Sequence, residues 1–419
     1  MIGKSIYNGQ VTLRYVSAKE AAAELGVSLP TLYAYVSRGL LRSHSTGSSQ
    51  RSRLYQYEDV ARLKARREQR RNPGRAAEAA LQWGMPVLES SLSLIADGQL
   101  FYRGISATEL AKTATFEQVA HLLWLGEMPD AERAQAGWPT ADDLTAPYAS
   151  WLAQLDAPAP IEAMQAVLAL AAAKDTAAYD LRPASVIDSA RRILALMSAA
   201  AIFPALPVGR RLAQLLQQAW APRQPEALRL LEAALILCAD HELNVSAFTA
   251  RCVASAGGTP YGVVLAGLSA LQGTRHGGNV GRVEGLLDEI RTPARAADVL
   301  NKRLRRGEGI PGFGHALYPD GDPRARLLLE LLAAAMPRSG AIRLARGVTA
   351  AAEQLIGEQP TIDLALAVLG RALDLPRGAP LALFALGRTA GWMGHALEQY
   401  AAGTLIRPRA RYVGPAPRS

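Results

Sequence analysis

Residues 309–325 read GIPGFGHALYPDGDPRA. Here His315 follows Gly312, Phe313 and Gly314, and the histidine sits in a setting that a buried packing residue does not require. Glycines beside an imidazole let backbone or ligand approach it closely, and histidine is the side chain best suited to move protons near neutral pH. Two more of the six histidines have polar or glycine-rich surroundings: His241 in DHELNVSAFTAR (240–251) and His276 in RHGGNV (275–280). His121 and His395 fall on helical apolar patterns and are expected to pack. Taken singly, each of the three polar-context histidines also has an ordinary structural explanation. Their spacing gives no HExxH or other short ligand pair, and no cysteine pair assists, so no metal site is expected.

Outward from these motifs the body reads as helix. Ala- and Leu-rich segments with 3.6-residue apolar spacing recur at 116–125, 161–173, 186–201, 226–239, 342–356, 361–373 and 381–401. The β signals are few: 92–95 and 100–102, split by Asp97-Gly98, predict one short hairpin. A mainly α body with small β elements is expected.

A length of 419 residues suggests roughly two or three domains. With 49% hydrophobic and 20% charged residues, the composition excludes a disordered chain, a collagen and a disulfide scaffold. Cys238 and Cys252 read as two small buried thiols in a reducing compartment. No secretory h-region follows Met1. The longest charge-free run, 252–274, is interrupted by glycines and Pro260, and its continuous apolar part is too short to span a bilayer. A soluble, cytoplasmic protein without membrane association is expected.

The formal net charge of +9 is localised. Residues 1–75 hold 14 Lys+Arg and 5 Asp+Glu, and the other 344 residues hold 32 of each. A basic module on a neutral body points to an anionic partner for that module alone. Ser17 and Glu20 form a capping-box pattern opening a helix through Leu25. Gly26 ends it, and Ser28 and Pro30 open a second helix to about Arg38. A polar stretch from Ser43 to Arg53, flanked by Leu40-Leu41 and Leu54-Tyr55, predicts a β-hairpin wing containing His44, and 58–71 predicts a basic helix. Asn72-Pro73-Gly74 marks the boundary.

SAKEAAAELGVSLPTLYAYVSRGLL and RSRLYQYEDVARLKARR resemble the winged helix-turn-helix of the mercury-resistance-regulator (MerR) and excisionase type, over about residues 12–71. The resemblance implies DNA as partner, with Ser28, Thr31, Tyr33 and Tyr35 on or near the recognition helix. Arg38, Arg42, Arg51 and Arg53 would meet phosphates. A solvated basic face that binds nothing is the alternative.

For the body, ADHELNVSAFTAR, RHGGNV, GIPGFGHALYPDGDPRA, TIDLALAVLGRALDLP and FALGRTAGWMGHALEQ resemble the successive motifs of citrate synthases, in the same order. LESSLSLIADGQLFYRGISATELAKTATFEQVAHLLWLGEMP resembles the segment that precedes them. The resemblance implies large and small helical domains: residues 1–75 as the helix-turn-helix module and 76–419 as the synthase body, with a large domain of about 76–278 and 379–419 and a small one of about 279–378. It implies condensation of acetyl-CoA with oxaloacetate and water to citrate and CoA, or 2-methylcitrate from propionyl-CoA, in a homodimer with no tightly bound cofactor. Asp363 matches the base that takes the methyl proton, His276 the donor to the thioester carbonyl, and His315 the acid at the keto oxygen. His241, Arg324 and Arg388 match substrate-binding residues, and Arg407 an arginine that reaches the partner subunit's site. Gly312, Phe313, Gly314 and Arg306 are the positions expected to hold CoA.

Two positions depart from the family pattern. Asn279 comes one residue earlier than the usual asparagine and is expected to point elsewhere. Pro319 stands where many members carry a Lys or Arg for CoA phosphate. Two other readings stay open: a transcription regulator that senses a metabolite through a citrate-synthase fold, and a citryl-CoA lyase running the same chemistry in reverse.

Overall fold

The computed structural model describes residues 15–37, 41, 43–45, 53–57, 60, 63, 88–140, 146–155, 159–205, 209, 211–410 and 412–415. The chain divides into two compact units, Met1–Glu89 and Ser90–Ser419. The boundary expected at residue 75 falls within 64–87, outside the described residues.

In the first unit, β1 (Tyr15–Ser17) leads directly into α1 (Ala18–Leu25). The capping box is present: Glu20 N donates to Ser17 Oγ (3.3 Å), and Ser17 N donates to Glu20 Oε2 (2.8 Å). Gly26 ends the helix in a left-handed turn before α2 (Leu29–Ser37). The expected wing forms from β2 (Ser43–Ser45) and β3 (Arg53–Gln56), paired antiparallel. β1, which was not expected, adds to the other edge of β3. Val16, Leu25, Leu32, Leu41, Tyr55 and Val60 are among the residues of a separate small core. Thr31 shares a hydroxyl hydrogen bond with Ser28 (2.9 Å). Tyr33 is exposed, whereas Tyr35 packs against the small core. Arg38, Arg42 and Arg51 lie outside the described residues, as does most of the basic helix expected over 58–71.

The second unit opens with a three-stranded antiparallel sheet, β4 (Ser93–Ala96), β5 (Gln99–Tyr102) and β6 (Ile105–Ser106). The β4–β5 turn falls at Asp97-Gly98 as expected. The helices that follow are α3 (Ala107–Thr113), α4 (Phe116–Leu125), α5 (Pro160–Ala172), α6 (Pro183–Ile202), α7 (Leu212–Trp220), α8 (Ala227–Cys238), α9 (Val245–Ser255) and α10 (Pro260–Leu271). They continue with α11 (Asn279–Ile290), α12 (Ala296–Arg305), α13 (Pro323–Ala335), α14 (Gly340–Ile356), α15 (Ile362–Ala372) and α16 (Ala379–Ala402). Short helical turns occur at Ala131–Gln135 and Ala149–Leu152.

α16 is the axis of this unit. Its middle stretch, Ala382–Ala396, is buried on every side, and apart from Arg388, Thr389 and His395 it carries only apolar or small residues. It packs on α4, α6, α8, α9 and α10. α11 to α15 form a second group, in which α15 packs on α11, α13 and α14. The groups meet where α13 contacts α8 and α15 contacts α16. Cys238 is buried as expected, but Cys252 is only half-buried. Among the described residues, no helix is long and apolar enough to cross a membrane.

Candidate active site

His241 sits in the tight connection between α8 and α9, and the small sheet pins that connection. Ser93 Oγ donates to Asp240 Oδ2 (2.5 Å), Glu242 N donates to Ser93 Oγ (2.8 Å), and Ile95 N donates to Glu242 Oε1 (2.8 Å). Tyr102 Oη reaches Ile236 O at the end of α8 (2.9 Å). So held, the buried His241 ring places Nε2 3.0 Å from Tyr318 Oη, and its edge meets the His315 ring at a centroid distance of 5.2 Å. Burial, helped by Arg324 and Arg388, pushes His241 well below the usual imidazole range and keeps it neutral.

His315 and Asp363 are joined through backbone. Gly314 N donates to Gln359 O (3.0 Å), Thr361 N donates to Gly312 O (2.9 Å), and Phe313 bridges Pro360 in antiparallel fashion. Gly312 and Gly314 have φ of 86° and 77°, which side chains rarely adopt. A Cβ on Gly312 would also lie 2.8 Å from Val283, and one on Gly314 2.7 Å from Glu358. His315 Nδ1 accepts from Leu317 N (3.2 Å), so the neutral ring carries its proton on Nε2. Burial and the Arg324 charge lower its pKa to about 4.

Asp322 ties the same elements together a second time. It caps α13, pairs with Arg324 through two bonds (Nε 2.9 Å, Nη2 2.8 Å), and accepts from Ile362 N at the start of α15 (3.0 Å). Both partners are almost fully buried. Mutual attraction holds the Asp322 carboxyl below its usual range and Arg324 above its own, so the pair stays ionised.

His276 lies in the turn between α10 and α11. Its Nε2 is 2.8 Å from Ser246 Oγ, which donates to Asn244 Oδ1 (2.8 Å) and accepts from Trp392 Nε1 (3.1 Å). The ring stands edge-on to Phe384. Burial beside Arg388 and Arg324 lowers its pKa to about 3. Asp363, in the first turn of α15, has the opposite response: burial raises its carboxyl to about 6. Asn279 Nδ2 and Thr361 Oγ1 both donate to its Oδ2, each at 3.2 Å. Asn279, expected to point elsewhere than the usual asparagine, turns toward Asp363. α11 begins at Asn279 itself, so the residue occupies the first helical position and faces the first turn of α15 rather than lying one step along an established helix.

Arg388, from the middle of α16, is 1% exposed. Its Nε donates to Cys238 O (2.8 Å) and its guanidinium lies over Phe384 at 5.0 Å. Nη1 and Nη2 are both buried without a hydrogen-bond partner among the described residues. An orphaned pair of buried cationic donors is costly unless an anion completes it.

His241, His276, His315, Asp363, Arg324 and Arg388 thus share one centre at the seam between the two helix groups. Arg407 does not join it within this chain: it lies exposed in the tail after α16. Arg306 is exposed and bonded to Glu308 (Nε–Oε1 2.6 Å), and Arg303 is bonded to Glu289. Pro319 is exposed in the turn after the buried Tyr318. His395 is buried against Asp240 and His121 is buried in α4, both packing roles as expected. Sequence reasoning missed Ser246, Tyr318, Thr361 and the clamp role of Asp322. Asp322-Pro323 did carry a readable helix-start signal, an acceptor followed by proline at the first position.

Two family descriptions match the chain: citrate synthase, C-terminal domain, over residues 80–409, and helix-turn-helix domain, over 15–68. A citrate synthase of Haloferax volcanii is 32% identical over 359 residues, covering 79% of this chain and 94% of that protein. A 2-methylcitrate synthase of Shewanella oneidensis is 30% identical, covering 80% and 94%. Among solved structures, a citrate synthase from Thermotoga maritima aligns with a TM-score of 0.70 at 29% identity, covering 80% of this chain and 96% of that one. A Thermoplasma acidophilum citrate synthase, in ternary complex with carboxymethyl coenzyme A and oxaloacetate, aligns at 0.71 and 25% identity, covering 82% and 97%. The chain belongs to the citrate synthase family and carries a helix-turn-helix domain ahead of the synthase body.

Proposed function

We propose that this enzyme is an acyltransferase that condenses acetyl-CoA with oxaloacetate and water, releasing citrate and CoA. The observation that carries the reading is Arg388, a buried guanidinium whose two outer nitrogens lack partners beside three neutral histidines and one raised carboxyl. Planar cationic forks suit carboxylates, and oxaloacetate supplies two.

A thioester α-proton is weakly acidic, so its removal requires a base and immediate stabilisation of the developing oxyanion. Asp363, with a pKa of about 6, is more basic than a free carboxylate and still mostly ionised at pH 7. It takes the methyl proton. His276 is the donor that meets the thioester oxygen. The enol carbon attacks the keto carbon of oxaloacetate, and His315 Nε2–H protonates the keto oxygen. Water then cleaves the citryl thioester to citrate and CoA. His241, Arg324 and Arg388 hold the dicarboxylate. The backbone of Gly312, Phe313 and Gly314, with Arg306, holds CoA. The helix groups correspond to a large domain (about 76–278 and 379–419) and a small one (about 279–378). In a homodimer, Arg407 reaches the partner subunit's site.

Thiol release from a panel of acetyl-CoA and propionyl-CoA on adding oxaloacetate tests the reading. Turnover abolished by Asp363→Ala is expected; no turnover with either thioester refutes it. Propionyl-CoA preference would make 2-methylcitrate the product.

For the N-terminal module we propose DNA binding, with Thr31, Tyr33 and Tyr35 on or near the reading helix and Arg38, Arg42, Arg51 and Arg53 on phosphates. The helix-turn-helix match and the localised positive charge support it. Salt-dependent, sequence-selective binding that responds to oxaloacetate or CoA is expected of a regulator; binding without selectivity refutes that role.

A further inference from the structure

Asn279 is the one feature of the centre that the family pattern does not account for. It follows the glycine pair after His276 directly, and it opens α11 without serving as that helix's cap. Its amide reaches across to α15 and donates to Asp363 Oδ2 at 3.2 Å. Thr361 Oγ1 donates to the same oxygen at 3.2 Å. Both bonds fall on Oδ2, and Oδ1 accepts none from any described residue. One carboxyl oxygen is therefore tethered twice, and the other takes no hydrogen bond from the described residues.

We propose that Asn279 is a positioning residue for the base of the condensation: it holds Asp363 Oδ2 so that Oδ1 alone faces the acyl methyl group, and it favours the ionised carboxylate. This inference rests on the assignment of Asp363 as that base. Only an acceptor suits the amide NH2, and an ionised carboxylate is acceptor-only, so the contact is made best to the form that can take a proton. A hydrogen bond to the charged form lowers a carboxyl pKa, opposing the burial that raises this one.

The charged groups on every element packed against α15 set the background. Arg324 and Asp322 stand at the start of α13 and act on Asp363 in opposite directions. α11 carries Glu284 and Asp288, the latter paired with Arg371 of α15 itself. α14 brings Glu353, with Glu358 in the connection after it, and α16 brings Arg388. Apart from burial, the Asn279 bond has the largest influence on Asp363.

The test is the pH dependence of kcat/KM for the acyl-CoA in Asn279→Ala and Asn279→Asp. In Ala, the acid-side midpoint is expected to rise by about one pH unit, the size of one lost hydrogen bond to a charged group. In Asp, where a second carboxylate replaces the donor, it should rise further. An unmoved midpoint, even with reduced kcat, overturns the proposal and leaves Asn279 as packing. Infrared titration of the Asp363 carboxyl, identified by its loss in Asp363→Asn, reads the same equilibrium without turnover. If the wild type fails to condense any acyl-CoA, the catalytic reading fails. The tether itself is then still judged by whether the infrared midpoint rises in Asn279→Ala: a rise upholds it and a fixed midpoint refutes it. Ala is favourable at a first helical position, and thermal unfolding of both variants checks that they fold.

Discussion

Replacing Arg388 with methionine should make the ligand-free protein more stable while removing its response to oxaloacetate. The guanidinium is buried with two nitrogens unpaired, and each unsatisfied buried donor costs on the order of 1–3 kcal/mol. Against that stand the Nε bond to Cys238 O, the Phe384 face and the attraction of Asp240, all lost in methionine. The carbonyl left behind costs about 1–3 kcal/mol in turn. The balance is a gain of roughly 1–2 kcal/mol, with methionine filling nearly the same space and requiring no partner. The assay is urea unfolding with and without oxaloacetate. The wild type should gain about 2.7 kcal/mol at a ligand concentration near 100 times Kd, and Arg388→Met should gain almost none. A variant that is less stable by 2 kcal/mol or more without ligand would falsify the premise that the guanidinium is unsatisfied. Retention of the oxaloacetate effect would refute its role as a carboxylate holder.

Three further outcomes are expected. Turnover should fall as pH drops through about 6, where the proposed base, Asp363, takes up its proton; Asp363→Asn should lose roughly 10²–10⁴-fold in kcat at all pH values. Glu232 is buried beside Glu117, and burial with that like charge raises its carboxyl to about 7. The folded state therefore holds a proton that the unfolded state releases near 4.5. The associated stability is complete below 4.5 and lost as pH rises through 7, so Glu232→Gln should remove up to about 3 kcal/mol of pH dependence from unfolding curves between pH 5 and 8. Gly391→Ala would put a Cβ 2.4 Å from Ala239 O and from Asp240 Oδ1. Forcing α16 away from that turn should cost about 1–3 kcal/mol in unfolding free energy and raise the KM for oxaloacetate, since Arg388 and His241 lie on the two sides of the contact.

How far the sequence could be read depended on whether a signal was local. The Ser17–Glu20 box, the Asp97-Gly98 turn and the 3.6-residue spacing of 381–401 each act within a few residues, and each formed as expected. β1 did not announce itself: three residues are too few to alternate, and its partner β3 lies far along the chain. α10 was hidden in a run whose glycines and Pro260 read as interruptions, although Thr259 caps it and the proline sits at a first-turn position where it belongs. The three histidines, Asp363 and the two buried arginines were named from ordered motifs, and the structure brings them to one centre. The contact of Asn279 with Asp363 was not foreseen, because the direction of that side chain depends on where α11 starts, to within one residue. The double tie at Asp322 was missed because it is a contact between two helix ends 40 positions apart.

The short ladder between Gly312–Gly314 and Gln359–Thr361, doubled by Asp322, makes a single solid piece of His315 and Asp363, the residues proposed above as acid and base. Their separation is written into backbone geometry and does not change when the piece moves. Any hinge between the helix groups therefore has one distance fewer to get right. It needs only to deliver the proposed acid–base pair, already spaced, to His276, His241 and Arg388 on the facing side, and a slack hinge would be felt in how often the parts meet rather than in how well the pair is matched.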